Sequence, residues 1–190
     1  QYKREPSSYF GPTSGYGRLF ASLPDEPRKV GVIGLGAGAL AGYSRAGDHW
    51  VFYEIDPVVA RVANAEFTFL RESPAAKTEL ILGDGHLITR EAMRVYMKHL
   101  KPDGTIVFQA TNRFVDIMPL VRRLADEFGL QARHVSDWPD FNEGYKYWLS
   151  PTDQVIVTKN PAILAAEKLK DAVEPPDRKD LPTFTDDYYN

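Results

Sequence analysis

The sequence predicts an α/β fold in which a three-layer, doubly wound and mostly parallel sheet ends in an antiparallel pair of strands. Two apolar runs, Lys29–Leu35 and His49–Ile55, are rich in β-branched and aromatic residues and read as buried strands. Helical patterns alternate with such runs along the chain, which is typical of a parallel sheet with helices on both faces. The last two runs, Gln131–Val135 and Gln154–Thr158, have only a long loop between them, which favours antiparallel pairing.

Periodicity and capping residues predict the other elements. Asp56 can cap a helix and Pro57 suits its first position, so a helix is expected from there to about Leu70. Gly129 is a natural C-terminal cap for the helix before it. The remaining expected elements are strands at 79–82 and 105–110 and helices at 16–23, 37–43, 89–100, 116–128 and 161–173. Residues 1–28 are expected to form a lead-in outside the core, and residues 174–190 an extended tail.

Length, charge and composition narrow the class of protein. The 190 residues suit one domain, and a net charge of −3 without runs of like charge does not favour a nucleic-acid partner. The absence of cysteine excludes disulfides, thiolate metal ligands and cysteine nucleophiles, and is compatible with a cytoplasmic location. The four histidines show no metal-ligand spacing, so no metal is expected. Neither a signal peptide nor an apolar run of the roughly 20 residues of a membrane helix is recognised.

The glycine-rich segment 34–38 follows the first strand and carries the strongest functional signal. Glycines at these positions let backbone N–H groups approach a ligand at a helix N-terminus; they are Gly34, Gly36 and Gly38. At the end of the second strand, Glu54 stands where an acid accepts hydrogen bonds from ribose hydroxyls. Asp56 is expected to cap the next helix or to contact the ligand's amino-acid-like tail. The pattern predicts a site for an adenosine-containing molecule, although Ala39 also completes a nicotinamide-type loop.

Asp84 and Gly85 follow the third strand. An acid at this position can accept a hydrogen bond from the exocyclic amine of adenine, which a nicotinamide site does not usually require. The pair therefore favours an S-adenosylmethionine-type nucleoside, with a plain turn as the other interpretation. Because the carboxyl ends of parallel strands share one edge, we expect four strand ends to meet at one crevice: Gly34–Gly38, Glu54–Asp56, Asp84–Gly85 and Ala110–Asn112.

The connection after the third strand is unusually short. Only residues 83–88 separate it from the next expected helix, whereas a parallel crossover needs about a dozen residues or more. Our hypothesis is that a segment of about 20–30 residues, enough for one strand and its connections, is absent between Leu87 and Ile88.

Several segments together resemble the catalytic domain of the spermidine synthase (polyamine aminopropyltransferase) family, which has the S-adenosylmethionine-dependent, Rossmann-like methyltransferase fold. The segments that carry the resemblance are Val30–Gly38, Tyr53–Asp56, Leu82–Gly85, Leu100–Gly104 and Thr105–Ala110. Tyr9–Pro12 and Thr185–Tyr188 resemble more particularly the bacterial spermidine-synthase-like proteins that are fused to a membrane transporter-like domain.

The resemblance implies roles for individual residues. Gly34, Gly36 and Gly38 would cradle the tail of the nucleoside, and Glu54 would hold its ribose. Asp84 with Gly85 would face the adenine. Gln1 and Tyr9 match positions that line the substrate side. The family's catalytic aspartate lies in a loop after the fourth strand, within the segment that we take to be absent, so no catalytic residue is assigned. The family's N-terminal β-hairpin domain is also lacking.

The resemblance also implies an activity, namely transfer of an aminopropyl group from decarboxylated S-adenosylmethionine to putrescine or a related amine in polyamine biosynthesis. The expected partner is then a small-molecule amine, while a homodimer and a membrane domain preceding Gln1 in the full-length protein both stay open. The residues leave three alternatives. They are an S-adenosylmethionine-dependent methyltransferase acting on a small molecule, a nicotinamide-dependent oxidoreductase, and a non-catalytic nucleoside-binding domain.

Overall fold

The computed structural model describes residues 4–82, 87–112, 114–138 and 148–187, which form two compact units. The first unit comprises residues 4–11 and 24–82, and the second comprises residues 12–23 and those from 87 onwards. The expectation of one domain with an absent segment stays a prediction.

The described residues contain α-helices, short 3₁₀ helices and β-strands. The helices are α1 (Gly15–Phe20), α2 (Pro57–Glu66), α3 (Arg90–His99), α4 (Met118–Glu127) and α5 (Pro161–Leu164), with 3₁₀ helices at Ala39–Tyr43 and Glu167–Leu169. The strands are β1 (Lys29–Ile33), β2 (His49–Glu54), β3 (Lys77–Leu82), β4 (Thr105–Gln109), β5 (Gln131–Asp137) and β6 (Thr152–Thr158).

The first unit is built on a three-stranded parallel sheet in the order β1–β2–β3. Trp50 and Phe52 of β2 are 0% and 1% exposed, and their stacked rings lie with centroids 5.9 Å apart. Helix α2 packs against β2 and buries Ala60 and Ala63. The parallel sheet therefore has one well-filled face, on the side of Trp50 and Phe52.

A buried ion pair holds the start of β2. Asp48 is 0% exposed and accepts hydrogen bonds from the Arg28 guanidinium, at 2.5 Å from Nη2, and from Trp50 Nε1 at 3.1 Å. Burial alone would raise the pKa of Asp48, but the hydrogen bonds from Arg28, Arg45 and Trp50 outweigh it and lower that pKa. The carboxylate thus stays ionised and fixes the turn that leads into β2.

The second unit is an antiparallel sheet in the order β4–β6–β5, with helices on both faces. On one face, Leu120 and Leu124 of α4 belong to the same buried cluster as Val155 and Val157 of β6. On the other face, Leu19 of α1 packs with residues of β5, β6, α5 and the second 3₁₀ helix. The predicted α/β class and the antiparallel C-terminal strand pair are confirmed.

Some element predictions are wrong. The helix expected at 161–173 ends at Leu164, because Ala166 is extended (φ −63°, ψ 129°) and the chain turns so that both Ile163 and Leu169 are buried. Helix α2 ends at Glu66 and not near Leu70, because Phe67 is also extended. The helix expected at 37–43 is a 3₁₀ helix that starts at Ala39.

The lead-in was expected to lie outside the core, and this is wrong for α1. Leu19 and Phe20 are 5% and 9% exposed. Gly15 donates its N–H to Gln154 Oε1 at 2.8 Å, and a Cβ on Gly15 would lie 2.9 Å from Gln154 Cβ. The absence of a side chain at Gly15 therefore lets α1 lie directly on β6.

Candidate nucleoside-binding site

The glycine loop leaves β1 in a conformation that favours glycine at three positions. The φ angles are +88° at Gly34, +53° at Gly36 and +78° at Gly38. A Cβ added to Gly34 or Gly36 would meet nothing within 4 Å, so these two glycines are required by the backbone and not by packing. The side of the loop where these Cβ atoms would stand is open, which is the arrangement that lets a ligand approach main-chain N–H groups.

Gly38 differs from the other two glycines because it packs closely against the side chain of Leu70. A Cβ at Gly38 would lie 3.1 Å from Leu70 Cγ, and Gly38 is the N-cap of the 3₁₀ helix at Ala39–Tyr43. The helix expected after the loop is thus only five residues long. A helix dipole therefore contributes little at this loop. The N–H groups of Gly34, Leu35 and Gly38 already donate to Tyr53 O, Glu54 Oε2 and Leu35 O, so the loop offers a ligand mainly its open surface.

Glu54 joins the glycine loop to the end of β2. Its Oε2 accepts a hydrogen bond from Leu35 N at 2.9 Å, and its Oε1 accepts from Ile55 N at 2.9 Å and from Asp56 N at 3.0 Å. The residue is 8% exposed. Hydrogen bonds from the backbone N–H groups of Asp56 and Leu35 outweigh the effect of burial and lower the pKa of Glu54. The carboxylate is therefore ionised at neutral pH and holds the loop in place.

This anchoring role of Glu54 was not anticipated from the sequence. The register of the parallel pair explains it, because Ile33 lies beside Tyr53 and the next residue of each strand therefore brings the loop beside Glu54. Gly34 N donates to Tyr53 O, and the next N–H group, that of Leu35, donates to Glu54 Oε2. Strand register, had it been assigned, was the signal that could have revealed this contact.

Asp56 is exposed and caps α2, as predicted. Its Oδ1 accepts from Val58 N at 2.7 Å, and Pro57 occupies the first turn of the helix. The structure thus brings together Glu54, Asp56 and the three glycines within the first unit. Contact between Asp56 and a ligand stays a prediction.

Three of the predicted site residues lie outside the described residues: Gln1, Asp84 and Gly85. Tyr9 is described and is 44% exposed, with its ring edge-to-face against Phe10 at 6.4 Å between centroids. Phe10 O accepts a hydrogen bond from the Tyr43 hydroxyl, which holds this part of the lead-in against the 3₁₀ helix that follows the glycine loop. A substrate role for Tyr9 stays a prediction.

The fourth expected strand end, Ala110–Asn112, belongs to the second unit. A cleft of about 290 Å³ lies there, lined by residues that include Thr111, Asn112, Phe114, Asp116 and Asp153. Asn112 Oδ1 accepts from Phe114 N at 2.9 Å, which shapes the loop and leaves the Phe114 side chain in solvent, 92% exposed. The convergence of this end with the glycine loop stays a prediction.

Two histidines have carboxylate partners. His49 Nε2 lies 2.5 Å from Glu79 Oε1, and His134 Nε2 lies 2.8 Å from Asp153 Oδ1. Within the described ranges, no group of three or more His, Asp or Glu side chains could hold a metal ion. No helix in the part of the chain that the structure describes is both long and apolar enough to cross a bilayer.

Solved structures share the fold at low sequence identity. Spermidine synthase from Thermotoga maritima superimposes with a TM-score of 0.55 and 18% identity, over 90% of this chain and 65% of that chain. Precorrin-6y C5,15-methyltransferase from Geobacter metallireducens gives a TM-score of 0.52 and 15% identity, over 77% and 90%. Precorrin 8w decarboxylase from Methanobacterium thermoautotrophicum gives 0.53 and 17%, over 78% and 91%.

These similarities define the fold class and nothing narrower. The chain has a Rossmann-like methyltransferase fold. It spans 65% of the length of the spermidine synthase that it matches. No family model matches the chain, and no curated protein matches it.

Proposed function

We propose that the first unit binds an S-adenosylmethionine-type nucleoside and that the protein is a transferase using this nucleoside as a substrate. The observation that carries the proposal is the open glycine loop anchored to an ionised acid at the end of the neighbouring strand. The loop has an open surface at Gly34 and Gly36, and Glu54 accepts a hydrogen bond from Leu35 N within the loop. The fold shared with a methyltransferase and with spermidine synthase supports the same class of substrate.

The hydrogen bonds of Glu54 define how ribose would bind. A carboxylate has about four acceptor positions. The backbone N–H groups of Leu35, Ile55 and Asp56 donate to Glu54, and that of Gly36 also contributes to lowering its pKa. Ribose hydroxyls would therefore replace the N–H of Leu35 or of Gly36 on this carboxylate. The positions on Oε1 would stay with the turn between β2 and α2. Glu54 would thus exchange a contact with its own loop for one with the nucleoside.

Within this class, we propose aminopropyl transfer as the reaction. The amine nitrogen of putrescine, or of a related amine, would attack the carbon next to the sulfonium of decarboxylated S-adenosylmethionine. A C–N bond forms, the C–S bond breaks, methylthioadenosine leaves and the amine loses one proton. Because the sulfonium is already a good leaving centre, the protein's contribution is orientation and removal of that proton. The resemblance of five segments of the sequence, and the spermidine synthase match over 90% of this chain, support this choice.

Methyl transfer to a small molecule is the second candidate. The match to a precorrin methyltransferase favours it, since the alignment covers 90% of that shorter chain. Both candidates use the same nucleoside site and differ in the acceptor.

Product analysis distinguishes the candidates. The protein is incubated with putrescine and either decarboxylated or intact S-adenosylmethionine, and the nucleoside product is identified by mass spectrometry. Methylthioadenosine formed only from the decarboxylated donor supports aminopropyl transfer, and S-adenosylhomocysteine supports methyl transfer. Binding of a donor without turnover supports a non-catalytic nucleoside-binding domain. If calorimetry detects binding of neither donor, the nucleoside site itself is refuted.

A matched pair of glycine variants tests the site. Gly36→Ala and Gly129→Ala both place a side chain at a positive φ, +53° and +67°, and neither Cβ meets an atom within 4 Å. Each should cost about 1–2 kcal/mol of stability from backbone strain. Only Gly36→Ala should also weaken nucleoside binding, by about tenfold or more, which corresponds to about 1.4 kcal/mol. If the two variants bind the nucleoside with equal affinity, the glycine loop is not part of the binding site.

A further inference from the structure

Residues 174–187, which we call the strap, lie on the second unit and are attached to it at both ends. At the start of the strap, Glu174 Oε2 lies 3.1 Å from Arg122 Nη2 of α4, and Glu174 Oε1 lies 3.5 Å from Arg133 Nη1 of β5. Pro175 O accepts a hydrogen bond from Arg122 Nη1 at 2.8 Å. The strap is therefore fixed at its start to both α4 and β5.

The end of the strap is bonded to the first residues of α3. Phe184 O accepts a hydrogen bond from Arg90 N at 2.9 Å. Asp186 N donates to Glu91 Oε2 at 3.0 Å, and Asp186 Oδ1 accepts from the Thr89 hydroxyl at 2.7 Å. Three hydrogen bonds thus join two segments that are far apart in the sequence.

These bonds complete the N-terminus of α3. The first N–H groups of a helix have no partner within the helix. Ala92 N donates to Thr89 Oγ1 at 3.1 Å, and Arg90 N is satisfied by the strap. A hydroxyl has one proton, and because Thr89 donates it to Asp186, its lone pairs are left for Ala92 N. The Asp186 carboxylate also lies at the positive end of the α3 dipole, which favours a negative charge.

The body of α3 is attached to the second unit independently of the strap. Met93 is 0% exposed and belongs to the same buried cluster as Leu124 of α4. Arg90 Nε donates to Glu127 Oε1 of α4 at 2.5 Å. Release of the end of the strap would therefore free the first turn of α3 and leave the rest of this helix in place.

Between its two attachments the strap is loosely held. Residues 176–180 are all exposed, and Arg123 Nη1 of α4 donates to Lys179 O at 3.2 Å. Within the described residues, the strap adds no strand to the sheet, whose order is β4–β6–β5. The end of the strap thus depends on its own contacts, which are the hydrogen bonds to α3 and the packing of Phe184 against the buried cluster.

We propose that residues 184–187 are a clasp that opens and closes on α3 while the rest of the second unit stays folded. When the clasp opens, the Thr89 hydroxyl loses its acceptor and Arg90 N loses its partner, so the first turn of α3 frays. Segments with few buried contacts open locally in this way, at a lower cost than global unfolding. The position of the C-terminal segment thereby controls the order of the chain that enters α3. The clasp also gives a role to Asp186 of the segment Thr185–Tyr188, which the proposed function does not use.

Amide hydrogen exchange of the full chain, measured by NMR, tests the clasp. Asp186→Ala removes the acceptor of the Thr89 hydroxyl. We expect exchange at Arg90 N and Ala92 N to become about tenfold faster or more, because a hydrogen bond to a charged group is lost. Exchange in β6 should not change. Asp186→Asn keeps an oxygen acceptor for the hydroxyl and should restore most of the protection.

Asp187→Ala is the matched control, since it removes the same charge from the neighbouring residue. Asp187 is exposed, and its side chain makes no hydrogen bond within the part of the chain that the structure describes. Exchange in α3 should be the same as in the wild type. If Asp187→Ala accelerates exchange in α3 as much as Asp186→Ala does, the negative charge of the segment and not the bond to Thr89 protects α3, and the clasp is overturned.

Thr89→Val tests the other partner of the bond. This change removes the hydroxyl, so Ala92 N loses its acceptor and Asp186 loses its donor. Adding Asp186→Ala to Thr89→Val should then leave exchange at Ala92 N nearly unchanged. Additive effects of the two substitutions would contradict the bond between Thr89 and Asp186 as the link.

Two further outcomes overturn the clasp. Unchanged exchange in α3 of Asp186→Ala means that the first turn does not need the end of the strap. Equal acceleration in α3 and β6 means that the end of the strap cannot open separately from the fold. No nucleoside is present in these measurements, so failure of the clasp and failure of the proposed function are distinguishable.

Discussion

Replacing Glu54 with glutamine should destabilise the glycine loop by an amount that the structure lets us estimate. The amide oxygen of glutamine can keep the bonds from Ile55 N and Asp56 N, which share Oε1 in the native protein. The amide NH₂ would then face Leu35 N, which is also a donor. One buried donor left without an acceptor costs about 1–3 kcal/mol. For a chain of this size, a loss of about 2 kcal/mol lowers Tm by roughly 4–8 °C, measured by circular dichroism at pH 7.

The Tm difference between wild type and Glu54→Gln should depend on pH in a definite direction. Hydrogen bonds lower the pKa of Glu54 in the folded protein below its ordinary value of 4.5. A lowered folded pKa means that the carboxylate contributes stability above pH 4.5, and that this contribution is lost as the pH falls through the folded pKa. The Tm difference between wild type and Glu54→Gln should therefore be constant near neutral pH and shrink below about pH 4.5.

Asp56→Asn is the control for the loss of one negative charge. Asparagine caps helices as well as aspartate does, so this variant should keep a Tm close to that of the wild type. If Glu54→Gln and Asp56→Asn have the same Tm, or if the Glu54→Gln difference does not change with pH, Glu54 does not anchor the loop.

Three further substitutions test packing in the two units. Gly15→Ala should lower the free energy of unfolding by the cost of overpacking, about 1–3 kcal/mol, because its Cβ would lie 2.9 Å from Gln154 Cβ. Tm should fall accordingly, and an unchanged Tm would contradict the close approach. Thr89→Val removes the hydroxyl that caps α3, so urea unfolding should show a loss of about 1 kcal/mol, and equal midpoints would disprove the cap. Asp48→Asn breaks the buried ion pair with Arg28 and should cost about 3 kcal/mol or more at pH 7. That third loss should diminish in acid, where the wild-type carboxylate also loses its charge.

The sequence was most informative where one local rule acts alone. The cap at Asp56 and the positive φ of the helix-terminating Gly129 each depend on a residue and its immediate neighbours, and the structure confirms them. The helix expected at 161–173 fails because burial of Ile163 and Leu169 requires a turn between them, and periodicity does not contain that information. The core position of Leu19 was also missed because it depends on contacts between distant residues. Gly15 permits the close contact with β6, but in the sequence a glycine there indicates a turn.

The contacts of Glu54 depend on a longer-range property, the register between β1 and β2. They change the interpretation of the acid at the end of β2, because Glu54 anchors the glycine loop as well as being a candidate ribose ligand. Read alone, a glycine loop and an acid predict a ligand held by both. In the structure, the acid is already bonded to the loop through Leu35 N. A ribose hydroxyl that reaches Oε2 therefore competes with Leu35 N. The free energy of nucleoside binding then includes the hydrogen bond gained with ribose minus the hydrogen bond lost from Leu35 N. Any variant that loosens the loop at Leu35 should consequently alter affinity without touching the nucleoside, which is why stability and binding have to be measured on the same variants.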